Sequence, residues 1–90
     1  MRISARSDYA VRAVIEIAAA APKLVKADQI AEAQHIPIKF LENILADLRR
    51  AGIVRSKRGA EGGYVLGYDP KELSVAHVMR SVEGPLAWVR

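Results

Sequence analysis

The sequence predicts a mainly α fold with one small β-hairpin, and three observations carry that expectation. Leu41, Ile44, Leu45 and Leu48 recur at i, i+3, i+4 and i+7, the spacing of one face of a helix. Two short runs, Ile53 to Arg58 and Gly63 to Leu66, flank Gly59-Ala60-Glu61-Gly62, whose glycines supply the backbone angles of a tight hairpin. Most remaining apolar residues follow helical spacing and are punctuated by proline and glycine. Ninety residues, 51% hydrophobic and 27% charged, suit a single domain with a modest core spanning positions 1–90.

Ser4 is placed to cap a first helix, with Asp8 near its positive end. Ala10, Val14, Ile17 and Ala21, joined by Val11, Ile15 and Ala18, give that helix a wide apolar stripe, and Pro22 ends it. The opening MRISARSDYAVRAVIEIAAAA is basic and then apolar, like a secretory leader. Arg12 and Glu16 break the apolar run at helical spacing, so it reads as an amphipathic helix of the fold. Lys23 to Val25 form a connector. A second, short helix covers roughly Lys26 to Gln34, with Ile30, Ala31 and Ala33 available for burial. His35-Ile36 make a bend that lacks the glycine common in such turns, and Pro37 suits the first turn of a third helix.

The third helix buries Leu41, Ile44, Leu45 and Leu48 and closes at Ala51-Gly52, where glycine is free to take positive φ. A lone two-stranded hairpin is marginal in water, so the hairpin must lean on the helices through Ile53, Val54, Val65 and Leu66. Gly67 to Glu72 is a polar loop. Ser74 caps a last helix with Val75, Val78, Met79 and Val82 on one face, closing at Gly84-Pro85. The order helix, helix, helix, strand, strand, helix is a winged helix-turn-helix arrangement.

Charge is sorted along this chain. The net charge is +4, and residues 35–58 alone carry six basic and two acidic side chains. Arg49, Arg50, Arg55, Lys57 and Arg58 fall within ten residues that hold no acid. A local cationic surplus favours a phosphate-rich partner, against the plainer alternative of a solubilising face. With the leucine stripe buried, Lys39, Glu42, Asn43, Ala46, Asp47 and Arg50 face outward. Lys39, Glu42 and Asn43 group near the helix start, the part that enters the major groove in helix-turn-helix proteins. Asn can pair with adenine, Lys can reach guanine, and Glu can accept from cytosine. Arg55, Lys57 and Arg58 lead into a tip of minimal bulk at Gly59, Gly62 and Gly63, suited to tracking phosphates or entering the minor groove. Arg49 and Arg50 either hold phosphates or complement the helix dipole. Glu61 is repelled by phosphate unless it pairs with Arg58 or faces away.

Other chemistries find little support. The Gly59-x-x-Gly62-Gly63 pattern lacks the lysine and hydroxyl of a P-loop. His35 and His77 have no metal-ligand spacing, and no nucleophile motif occurs. An enzyme is therefore not expected. No stretch is long enough to span a bilayer. The absence of cysteine excludes disulfides and thiolate ligands within these residues and fits a reducing, cytoplasmic setting.

The run LENILADLRRAGIVRSKRGAEGGYVL resembles the IscR/NsrR-type (Rrf-type) winged-helix transcriptional regulators of bacteria. The resemblance extends to the opening RISARSDYAVRAV and the close into VEGPL, and its most specific element is the wing from Arg58 to Tyr64. It implies a homodimer that regulates transcription from a near-palindromic operator in double-stranded DNA; the family holds repressors and activators, and this chain is expected to be a repressor. It places groove contacts at Lys39, Phe40, Glu42 and Asn43, with Arg49 near the backbone and Arg58 in the wing. Pro37 and Phe40 stand where some members have serine and tyrosine, so two hydroxyl contacts are absent. Many members hold an iron–sulfur cluster on three cysteines, which this chain cannot supply. Asp8 occupies the position of a non-cysteine ligand in some members and is expected here as a plain helix-end carboxylate. Members also continue into a long dimerisation helix, so the chain is expected to be a fragment or a shortened relative, with Leu86, Trp88 and Val89 left for a partner surface. The rival from another class is a winged-helix module that binds protein and not DNA.

Overall fold

Ser4 starts the first helix by two bonds at once. Its Oγ accepts from the Ser7 N–H at 3.0 Å and donates to the Glu83 carboxylate at the far end of the chain. The computed structural model describes residues 4–83. It contains α1 (Ala5–Ala20), α2 (Ala27–Gln34), α3 (Ile38–Arg50), β1 (Val54–Lys57), β2 (Gly63–Leu66), a 3-10 turn (Pro70–Glu72) and α4 (Val75–Glu83). The expected element order is therefore present. Gly84-Pro85, Leu86, Trp88 and Val89 lie outside the described residues.

α1 is the spine. It packs on α4, α3, α2 and β2, and buries Ala10, Ala13, Val14 and Ile17. Ile15 and Ala21 stay exposed, so the buried stripe is narrower than its apolar composition suggests. In α4, Val78 and Val82 are buried while Val75, in the first turn, is 60% exposed. Around α1 the core gathers Ile30, Ile36, Leu41, Ile44, Leu45, Leu48, Ile53 and Val54.

Two closures of the same kind bracket α3. At the end of α2, His35 takes a left-handed conformation (φ 54°), and the Ile36 N–H donates to Ala31 O at 2.9 Å. At the end of α3, Gly52 takes φ 78° and the Ile53 N–H donates to Leu48 O at 3.0 Å. Each has the 6→1 bond of a Schellman motif, and each buries the apolar residue that follows the turn. The bend that lacks glycine thus uses a histidine in its place. Pro37 precedes α3 as its N-cap, one position earlier than expected, and its carbonyl accepts from Leu41 N at 2.9 Å.

β1 and β2 pair antiparallel, with Val54 opposite Leu66, Arg55 opposite Val65, Ser56 opposite Tyr64 and Lys57 opposite Gly63. Because strand residues alternate faces, Val54, Tyr64 and Leu66 turn inward while Arg55 and Lys57 share the outer face with Val65. Tyr64 therefore replaces Val65 among the expected anchors. The connector between α1 and α2 also pairs with the sheet. Val25 N–H donates to Tyr64 O at 3.0 Å, and Tyr64 N–H donates to Val25 O at 2.7 Å. β2 is thereby bonded along both edges, which supports a hairpin too short to stand alone.

Candidate nucleic-acid interface

Helix geometry puts Lys39, Glu42, Asn43, Ala46, Arg49 and Arg50 within an arc of about 120° on α3, opposite the buried leucine stripe. Lys39, Glu42, Asn43, Arg49 and Arg50 are exposed, and Ala46 is half-buried. Asp47, at the edge of this stripe, is drawn inward and held between Arg6 of α1 and Arg50, its side chain 20% exposed. Phe40 is the site residue turned toward the fold. It is half-buried and meets the Tyr9 ring edge-to-face at 5.4 Å, so its face seats the start of α3 on α1.

The wing presents Arg55, Lys57, Arg58, Gly59, Ala60 and Glu61 to solvent. Its glycines divide the labour. Gly59 has φ 107° and open space around it, so it serves the turn alone. Gly62 is buried, and a Cβ there would lie 2.1 Å from Lys57 O. A Cβ on Gly63 would meet Val25 O at 2.7 Å. Gly62 and Gly63 thus let the tip close and Val25 approach, which places them behind the exposed surface. Gly59 is the tip glycine left on it.

Among the described residues, the ion pairs are Arg6–Asp47, Arg50–Asp47 and Arg12–Asp8. Lys39, Arg49, Arg55, Lys57 and Arg58 have no carboxylate partner there, and Arg50 shares Asp47 with Arg6. Glu61 is exposed and pairs with none of the wing cations. The cationic surplus of residues 35–58 is therefore available on the surface.

A polar cluster behind α3 escapes sequence reasoning. Arg6 donates through Nε to Val82 O at 2.9 Å and through Nη2 to Asn43 Oδ1 at 2.8 Å, besides its ion pair with Asp47. Ser7, fully buried, donates to Glu83 beside Ser4. These hydrogen bonds, Ser4 first and then Ser7, hold the Glu83 carboxyl below its usual value of 4.5; burial opposes them and the Arg6 charge adds to them. On the other side of α1, Arg12 donates to Gln34 O at 3.0 Å, so α1 grips both helices of the helix-turn-helix. Arg6 and Arg12 are ordinary surface-type residues by sequence. Only the fold brings them to their partners, which lie 22 to 76 positions away.

Comparison with known proteins places this geometry. The family model for Rrf2, described as an iron-dependent transcriptional regulator, matches residues 3–90. The chain is 52% identical over 91 residues to Rv1287 of Mycobacterium tuberculosis (strain ATCC 25618 / H37Rv), a protein assigned to the HTH-type transcriptional regulators, and covers 56% of its length. It is 37% identical over 90 residues to the HTH-type transcriptional regulator CymR of Bacillus subtilis (strain 168), matching 97% of this chain and 64% of that one. The solved structure of CymR, the global cysteine regulator of B. subtilis, superimposes with a TM-score of 0.90 at 34% identity, over 100% of this chain and 70% of that chain. IscR of T. potens gives 0.87 at 36% identity, over 93% and 62%.

Iron in the family description raises the question of ligands. These 90 residues contain no cysteine, and no three His, Cys, Asp or Glu side chains come together among the described residues. Asp8 pairs with Arg12 at 3.3 Å. The residues present do not fit a thiolate-held iron site. What they do fit is the shared winged helix-turn-helix of these relatives, matched over the whole described fold, and the chain belongs to the Rrf2 family of transcriptional regulators.

Proposed function

We propose that this chain is the DNA-binding part of a cytoplasmic, sequence-specific transcription regulator. It holds a near-palindromic operator in double-stranded DNA as a homodimer and represses by occupying the site. It performs no catalysis, and it draws no metal or iron–sulfur cofactor from these residues. One observation carries the reading: α3 and the adjoining wing present Lys39, Arg49, Arg55, Lys57 and Arg58 to solvent without carboxylate partners. Glu42 and Asn43 beside Lys39 supply groups able to read base edges, while the wing supplies charge for phosphates. Relatives classed as transcription regulators support the same conclusion, although the chain spans 56% of the length of the first of them.

A salt titration against a selected operator tests this. Counterion release makes DNA affinity fall steeply as salt rises. Five unpaired cations on each chain, ten in the homodimer, predict a slope of log K against log salt of about −9 if each meets one phosphate. A flat dependence, together with saturable binding to a protein ligand, sinks the reading in favour of a protein-binding module.

A further inference from the structure

Asn43 does not face the groove as a free amide. Arg6 Nη2 donates to its Oδ1 at 2.8 Å. A guanidinium has only donors, so the amide nitrogen cannot occupy that side, and the bond fixes which end of Asn43 points where. Arg6 is itself held on α4 by its bond to Val82 O and on α3 by its ion pair with Asp47. It is half-buried and anchored on two helices, so it is a strut and not a mobile surface arginine. A cation on Oδ1 also polarises the amide. Its N–H groups become better donors, and the remaining lone pair becomes a poorer acceptor.

We propose that Arg6 is a positioning residue for base selection: it presents Asn43 to the major groove as a donor. Pairing with adenine requires an amide to accept from N6 while donating to N7. With Oδ1 committed to Arg6, Asn43 is steered to base edges that only accept, N7 and O6 of guanine or O4 of thymine. The proposal rests on the DNA-binding reading and sharpens it to one base pair per half-site. The fork geometry matters: Nε meets Val82 O while Nη2 meets both Asn43 and Asp47, and a lysine, a point charge without that fork, is drawn to the Asp47 carboxylate and releases Asn43.

The test begins with selection of bound sequences from random double-stranded DNA, using the chain itself. The base pair under Asn43 is the one whose preference Asn43→Ala abolishes. Affinity is then measured for all four base pairs at that position. The wild type is expected to disfavour adenine there by about tenfold, the worth of one good hydrogen bond. Arg6→Met, which keeps an unbranched stem, and Arg6→Lys, which keeps the charge, should both relax or reverse that preference and leave other positions unchanged. Should Arg6→Met fail to fold, Arg6→Lys decides. A wild-type preference for adenine at this position overturns the proposal. So does a uniform loss across all positions in the Arg6 variants, which marks a purely structural strut, and so does an Asn43→Ala profile identical to wild type. In those three cases DNA binding itself stands. If the wild type selects no DNA sequence at all, the regulator reading falls and the proposal with it.

Discussion

His35 sits in the left-handed region at φ 54°, where a side chain usually costs about 1 kcal/mol and glycine costs none. Histidine is among the residues that tolerate it, whereas a β-branched residue there is a true outlier. His35→Val should therefore destabilise the chain by about 1–2 kcal/mol, while His35→Gly should match or exceed the wild-type melting temperature; thermal denaturation of both reads the difference directly. If the two variants melt alike, the Schellman closure at Ile36 does not govern the bend. Glu83 makes a second prediction at this scale. Hydrogen bonds from Ser4 and Ser7 lower its pKa below 4.5, so the folded state binds that proton less readily than the unfolded chain. Its contribution is complete above the unfolded value and is lost as pH falls through the lowered folded one. Wild-type stability should consequently drop on acidification from pH 5 to pH 3 more than that of Glu83→Gln. Parallel curves would show that the serine contacts do not favour the charged carboxylate.

At the scale of elements, wing and helix should have separable tasks. Arg58→Ala should weaken binding to many DNA sequences alike and reduce the salt slope of the dimer by about two, one for each chain. Glu61→Gln should do the opposite to affinity, since the carboxylate is exposed at the tip and unpaired with Arg58. If Arg58→Ala leaves affinity unchanged at moderate salt, the wing does not touch phosphate. How far such elements are legible in the sequence follows from the range of the forces that set them. The α3 core face is readable because Leu41, Ile44, Leu45 and Leu48 repeat every turn, and all four are fully buried. The wing is readable because its glycines answer a local demand of the backbone. The pairing of Val25 with Tyr64 is not, although the Gly62-Gly63 doublet hints at a close approach of another chain segment. Nor is the placement of Phe40, whose inward turn depends on Tyr9, thirty-one positions earlier. The site divides in the same way. Exposure of Lys39, Glu42, Asn43 and the wing cations follows from local periodicity, while the Arg6 bonds that restrain Asn43 exist only after three helices have docked.

For the whole molecule, one copy is too small to read a palindrome alone. The folded unit measures 43 × 27 × 19 Å and carries one α3 and one wing. Two-fold related helix-turn-helix units read major grooves on the same side of the duplex when their centres lie one helical turn apart, about 34–36 Å. Two copies fit side by side at that spacing when the 27 Å or the 19 Å axis lies along the duplex. The prediction is a complex of two chains per operator, with selected sequences forming inverted repeats whose half-sites are centred about 10 base pairs apart. Sedimentation of the protein with a defined duplex gives the stoichiometry, and the selected sequences give the symmetry independently. A duplex carrying a single half-site should bind far more weakly than the full repeat, since each half then contributes alone. A single chain bound at saturation to an asymmetric half-site, with no gain on adding the second half, would falsify the dimer. It would leave a monomeric reader whose affinity rests wholly on the exposed cations of one α3 and one wing.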